Sequence, residues 1–238
     1  NVNTLTTDAV FVASQINDDN LQTFIDGALN SNGKIIIQDT NGILYGSNSR
    51  IDVNGLVSTT AGTVNVSADG KSVELDDFSG NGEIVIEQGS MISIKQGGLA
   101  AFVAPTVVNN GVIAARAAKV ELAGANTKTT VDLYGDGLLE IAVNDENSSR
   151  LLSENNGDIL NDGGIVHMTT GAAKEIVDSV VNMNGVVAAS SVTQVGGKIV
   201  LGGAHAGTVK VAGKVKASGK KGGGTVIAAA KSVDVTKT

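Results

Sequence analysis

Two histidines, His167 in GGIVHMTT and His205 in GGAHAGT, are the only imidazoles in the chain. Brought onto one face by a stacked fold, they would offer two nitrogen ligands to a divalent metal. Structural zinc sites need four ligands and commonly use cysteine, and this chain has no Cys. Surface or turn positions are therefore the simpler expectation for both. Adjacent acids at Asp18–Asp19, Asp76–Asp77 and Asp145–Glu146 carry the oxygen ligands that Ca²⁺ takes, yet none has EF-hand spacing. They read as solvated acidic loops. Glycosidic cleavage needs two carboxylates flanking the scissile bond, and a polysaccharide lyase adds a basic side chain beside bound Ca²⁺. The three arginines, Arg50, Arg116 and Arg150, are scattered, and no dense charged groove is legible. There is no Gly-x-Ser-x-Gly nucleophile turn, and the lack of cysteine excludes thiol catalysis and disulfides. The expectation is a protein without catalytic residues, metal or cofactor.

The scaffold has an unusual composition. Hydrophobic residues make up 42% of the 238 residues, enough for a core, but aromatics only 3%, with no Trp. The interior must be built from Val, Ile, Leu and Ala stacked in a regular way. A net charge of −7 argues against a general nucleic-acid binder. No run reaches the roughly 18 apolar residues that span a bilayer. The opening NVNTLTTDAV has neither the basic start nor the apolar stretch of a signal peptide, as expected of a mature or trimmed chain.

A turn ending in Gly and followed by β-formers recurs at Gly33, Gly55, Gly82, Gly111, Gly137, Gly157, Gly185 and Gly213, at intervals of 20 to 29 residues. Asn usually precedes the Gly, a pairing that tolerates positive φ in turns. Between these turns lie short alternating strands such as IVIEQ at 84–88, AKVELA at 118–123 and GKIVLG at 197–202. The prediction is an all-β fold, a right-handed parallel β-helix over 31–238, of about eight coils of roughly 20–29 residues. Short helical or loop excursions should interrupt it at 144–156 and 172–182. An up-and-down barrel is the main rival, but it would need hairpin turns and consistent antiparallel alternation. Residues 1–30 read as a separate N-terminal segment. It would hold a strand at 9–14 and a short helix over 18–30, from the spacing of Leu21, Phe24, Ile25 and Leu29. Such a segment would cap the helix or exchange with a neighbour.

Residues 31–60 read SNGKIIIQDTNGILYGSNSRIDVNGLVSTT. This resembles the signature of the secretion domain of filamentous haemagglutinin-like proteins, the passengers of bacterial two-partner secretion. The family's Asn-Pro-Asn-Gly-Ile stretch is matched by Asp39, Thr40, Asn41, Gly42 and Ile43. Its Phe-Gly is matched by Tyr45 and Gly46, and its Arg-Val-Asp-Val-Gly-Gly-Leu-Val run by Arg50 to Val57, including Asp52 and Gly55. Weaker likeness continues at 97–116, 131–143 and 163–190. The resemblance implies an exported β-helix, secreted through an outer-membrane transporter as partner and found outside the cell or on its surface. Passengers of this kind serve as adhesins, fibres or stalks.

Two further expectations come from the residues. Asn109, Asn155 and Asn184 stand near turns and could form a side-chain ladder along stacked coils. Residues 205–238 hold seven lysines and one acid, while 1–33 hold four acids and no basic residue. Asp8, Asp18, Asp19 and Asp26 at one end and Lys210, Lys214, Lys216, Lys220 and Lys221 at the other could meet head to tail. Such a heterologous contact does not close and so builds a filament; alternatively the lysines guard a strand edge. The functional expectation is a structural or adhesive exported module, with a self-assembling extracellular or biofilm fibre as the alternative and a polysaccharide-active enzyme a distant third.

Overall fold

The computed structural model describes residues 10–15, 21–80, 82–134, 140–141, 151–170, 179–189, 197–202 and 207–236. Among these, every regular element is a strand. Nearly all pair in parallel, each with the strand one turn earlier and one turn later in the chain. Three faces result, and the chain visits them in strict rotation. The first is an eight-stranded sheet running from Thr23–Ile25 through Ile43–Tyr45, Glu83–Ile86, Thr106–Asn109, Leu151–Asn155, Ser179–Met183 and Thr208–Val211 to Ser232–Val235. The second stacks Ala28–Asn30, 50–53, 91–94, Val112–Arg116, Asp158–Asp162, Val186–Ala188 and Lys214–Lys216. The third begins at Val10–Gln15 and Lys34–Asp39 and ends at Thr225–Ala229. Two long strands, Arg50–Thr59 and Met91–Ala104, turn the corner between the second and third faces and join them into one 13-stranded sheet. The sheet is nearly closed on itself, in the manner of a β-helix.

The core follows from this stacking. On the second face Ile51, Ile92, Ile113, Ile159 and Val187 are register partners in one column, and each is at most 1% exposed. Like residues stack on like at the strand spacing of about 4.8 Å, so small aliphatics fill the interior and large aromatics are not needed. Tyr45 and Phe102 are the two large aromatics fully buried there.

The helical expectations are corrected. Within 18–30, Thr23–Ile25 and Ala28–Asn30 are strands, paired with Ile43–Tyr45 and with 50–52. Within 144–156, Leu151–Asn155 is a strand, and within 172–182 so is the part from Ser179. Residues 18–20, 144–150 and 172–178 lie outside the described residues. Cross-rung backbone bonds outweigh a local 3.6-residue pattern, because propensity is a weak prior against tertiary pairing. Val10–Gln15, Thr23–Ile25 and Ala28–Asn30 thus belong to the same three stacks as the strands after residue 31.

Antiparallel strands Thr63–Val66, Ser72–Asp76, Thr129–Asp132 and Glu140–Ile141 form a small flap. Val73, Leu75, Phe78, Val131 and Leu133 of this region pack on Ile36, Val57, Leu99, Ala101 and Val103, making a second core outside the first. The excursion was legible: Asp69-Gly70 between two alternating runs, TVNV and SVELD, is a strong hairpin signal.

The glycine repeat has a different basis from the one its Asn-Gly context suggested. Gly111, Gly157, Gly185 and Gly213 form one column at the corner between the first and second faces. The carbonyl of each of the first three accepts the N–H of the residue after the next glycine, from Asp158, Val186 and Lys214, at 2.9 Å. None of the four has positive φ. A Cβ on Gly157, Gly185 or Gly213 would lie inside the contact radius of the carbonyl oxygen one rung below. Gly33 and Gly55 sit at the next corner, where Gly55 N–H donates to the Gly33 carbonyl at 3.3 Å. Gly82 stands at the third corner, before Glu83–Ile86 and against Thr40 and Gly42, and Gly137 lies outside the described residues, so the repeat was three corners read as one.

Candidate functional site

The 39–55 stretch occupies two turns near the N-terminal end of the stack and fastens them to their neighbours. Asp39 is fully buried. Its Oδ1 accepts the Asn41 N–H at 2.9 Å and its Oδ2 accepts the Thr23 hydroxyl at 2.6 Å. The first bond makes a local Asx turn; the second ties that turn to the rung below. The Asn41 side-chain amide donates to the Leu21 carbonyl at 3.3 Å, and the Thr23 N–H donates to the Gly42 carbonyl at 3.0 Å. Gly42 has φ +125°, with the Glu83 carbonyl oxygen 3.0 Å from where a Cβ would stand. That combination of conformation and close approach accepts glycine alone. The Thr40 carbonyl packs on Gly80 and Gly82 of the rung above.

Beyond this turn, Ile43 and Tyr45 point inward and are buried. The Tyr45 hydroxyl bonds the Ser58 hydroxyl across the core, and its ring meets Phe102 edge to face with centroids 6.2 Å apart. Burial pushes the phenol pKa well above its ordinary value, against the lowering effect of Ser58. Asp26 lies under the second turn and accepts the Asn48 side-chain and backbone N–H groups, both at 2.9 Å. Those bonds, with a smaller contribution from the Arg50 charge, hold its carboxyl below the usual range. A Cβ at Gly46 would strike the Asp26 carboxylate. Arg50 Nη1 donates to the carbonyls of Ser49 at 2.7 Å, Gly89 at 2.8 Å and Ser47 at 3.3 Å, so it pins its own turn to the next rung. Asp52 points outward, and at Gly55 a Cβ would press into the Lys34 side chain. Asp39, Asn41 and Arg50 thus hold consecutive rungs in register.

Beside the motif the interior opens at the N-terminal end. A cavity of about 430 Å³ is walled by Phe11, Phe24, Leu29, Ile35 and Ile37 among others. Phe11 and Phe24 are half-exposed at its mouth.

The asparagines fall in two rows, not one. Asn109 Nδ2 donates to Asn155 Oδ1 at 2.7 Å, both buried, and Asn155 Nδ2 caps the Gly157 carbonyl at 3.0 Å. The next residue of that column is Met183, which offers no amide. Asn184 belongs to an exposed row: Asn184 Nδ2 donates to Asn156 Oδ1, and Asn156 Nδ2 to Asn110 Oδ1, both at 2.9 Å. Consecutive asparagines at the corner face opposite sides of the wall, so Asn184 ladders with the exposed row and Asn109 with Asn155 in the buried one.

Lys210, Lys214, Lys216, Lys220 and Lys221 are all exposed in the last rungs. Asp26, among their suggested counterparts, is engaged with Asn48; Asp8, Asp18 and Asp19 lie outside the described residues, as does His205. Asp76 and Asp77 fall at the end of a flap strand. Among the described residues no three His, Asp or Glu side chains come together to hold a metal ion.

His167 lies in the third face, buried, with Nδ1 3.7 Å from Glu121 Oε1. Burial, then the charges of Lys198 and Lys119, lower its pKa to about 4 despite that carboxylate. The unfolded chain, at about 6.5, takes up the proton first. Stability from this group is therefore complete above about pH 6.5 and drains away as pH falls toward 4. Unfolding measured from pH 7 to pH 4 should show the wild type losing about 1–3 kcal/mol more than His167→Gln. Equal losses would show that His167 titrates normally.

The family comparison decides what these rungs belong to. The family model for the TPS secretion domain matches residues 2–217. The chain belongs to the TPS secretion domain family. Among solved structures it is similar to the HMW1 secretion domain from Haemophilus influenzae, at 21% identity and TM-score 0.64, covering 94% of this chain and 67% of that one. That likeness concerns the fold. The filamentous hemagglutinin secretion domain also matches, at 18% identity and TM-score 0.40, over 92% of this chain and 75% of that one. No curated protein sequence matches the chain. As a TPS secretion domain, the chain is exported by two-partner secretion, with an outer-membrane transporter as its partner. Its family is a secretion and structural domain, not a known enzyme family. No helix among the described residues is long and apolar enough to cross a membrane.

Proposed function

We propose that this TPS secretion domain is the address and folding template of an exported adhesive or fibrous β-helix, and that its transporter engages the N-terminal rungs. The winding is right-handed, as crossovers between parallel strands are in about 98% of cases, and comprises about eight coils, in keeping with the eight-stranded first face. One observation carries the reading. The family motif at 39–55 is spent on knitting the opening rungs together, directly beside an apolar mouth rimmed by Phe11 and Phe24. A motif kept for chemistry would leave a nucleophile or an acid–base pair open to a cleft. This one stabilises a nucleus on which later rungs can stack, since a β-helix grows by adding each strand to the edge before it.

Export is the test. The chain, delivered to the periplasm by a cleavable signal, is co-produced with each of a panel of two-partner outer-membrane transporters. It should reach the medium with at least one of them and stay behind without any. Phe11→Asp/Phe24→Asp should remain periplasmic while keeping the wild-type unfolding transition. Release without a transporter, or undiminished export of a folded Phe11→Asp/Phe24→Asp variant, would overturn the assignment to these rungs.

A further inference from the structure

The outward side chains of the second face form a patch that the export reading does not use. Strict alternation places Ile51, Ile92, Ile113, Ile159 and Val187 inside, so their neighbours look out. By register, the outward rows run Arg50, Met91, Val112, Asp158, Val186, Lys214 and Asp52, Ser93, Ala114, Leu160, Ala188, Lys216. The middle of the face is mostly apolar: Met91 is 44% and Leu160 40% exposed, with Val112, Ala114, Val186 and Ala188 around them. Ser93 and Asp158 interrupt it, Asp158 between Val112 and Val186, and the Arg116–Asp162 pair, 3.9 Å apart, lies along the edge. Asp52 stands at one end and Lys214 and Lys216 at the other, all exposed. An apolar centre within a charged rim is the anatomy of a protein interface.

We propose that this face docks a second copy of the same chain, with the two helix axes antiparallel. The charges select the arrangement. A twofold axis along the helix axis would set Lys214 and Lys216 against the same lysines of the partner. A twofold axis along the strand direction reverses one copy and keeps each outward row facing itself. The register that brings Asp52 opposite Lys216 then brings Met91 opposite Val186 and Ala114 opposite Leu160. Arg50, in the row facing Lys214, is turned aside onto the carbonyls of Ser47, Ser49 and Gly89. Such a contact is isologous and closes at two copies. Six facing strands about 4.8 Å apart and about four residues across give roughly 400 Å² per copy. The total of about 800 Å² lies at the low end, in the range of transient contacts, so the dimer is weak and reversible.

Sedimentation velocity of the purified chain across micromolar concentrations is the experiment. The wild type should pass from monomer to dimer and go no further. Leu160→Glu and Met91→Glu should each weaken association at least tenfold while unfolding at the same denaturant concentration as the wild type. Asp52→Lys and Lys216→Glu should each weaken it, and the two together in one chain should restore it. A zero-length carboxyl–amine cross-linker should join Asp52 of one copy to Lys216 of the other. A wild type that stays monomeric, a dimer indifferent to Leu160→Glu, or continuing growth to longer species would each overturn the proposal. None of these results depends on whether a transporter exports the chain.

Discussion

Gly157→Ala should unfold at far lower denaturant than the wild type, or not fold at all. The added Cβ would enter the space of the Gly111 carbonyl oxygen, and that oxygen already accepts the Asp158 N–H at 2.9 Å. Backbone on both sides is held by parallel pairing, so neither partner can move without breaking a rung. The expected loss is about 3–5 kcal/mol, at the upper end for single substitutions. Gly185→Ala should behave alike, because its Cβ would meet the Gly157 carbonyl in the same way. Gly202→Ala is the control: its nearest neighbour would be Thr169 Cβ at 3.8 Å, an ordinary contact, and its effect should stay within about 0.5 kcal/mol. Urea unfolding of the three variants checks the set. A Gly157→Ala protein as stable as Gly202→Ala would mean the column is not close-packed, and the repeat would need another explanation.

Tyr45→Ala should cost nearly as much. The ring is fully buried and packs edge to face on Phe102. Removing a core aromatic costs about 3–5 kcal/mol. Tyr45→Phe separates ring from hydroxyl: it leaves the buried Ser58 hydroxyl without its bond, at a cost of about 1–2 kcal/mol. The pH dependence adds a second readout. Because burial raises the folded phenol pKa, the unfolded chain ionises first, near pH 10. Stability from this group is intact below that value and declines as pH rises beyond it, with a slope of one proton. Tyr45→Phe should lack that part of the alkaline decline. If wild type and Tyr45→Phe lose stability in parallel above pH 10, the phenol is more accessible than its surroundings indicate.

These predictions also mark how far residues could be read in advance. The alternation IVIEQ and the run AKVELA announced strands, and they are strands. The motif at 39–55 announced its family, since Asn41-Gly42-Ile43 and Arg50 to Val57 are a specific string. The spacing of Leu21, Phe24, Ile25 and Leu29 misled, because it is compatible with a helix and with two short strands on different faces. Only pairing with Ile43–Tyr45 and with 50–52 chose between them. Which row Asn184 joins was not legible, because its place on the wall depends on how the corner turns. The flap was overlooked even though Asp69-Gly70 signalled a hairpin.

Read alone, the amino-acid order determined that the chain is all-β, coiled and aliphatic in its core. Those properties follow from the local period, turn residues and composition, which need no knowledge of distant neighbours. It also determined the family, because a motif is a local string. The tertiary structure decided what the bonded residues of the motif do. Asp39 reaches Thr23, Arg50 reaches Gly89 and, beyond the motif, Gly157 lies over Gly111. These are contacts between rungs roughly 16 to 46 residues apart, set by the length of each coil and its excursions. Coil length varies from rung to rung, and a one-residue slip would turn every outward side chain inward. Which glycine meets which carbonyl, and which face is left apolar toward solvent, is therefore settled only when the rungs stack.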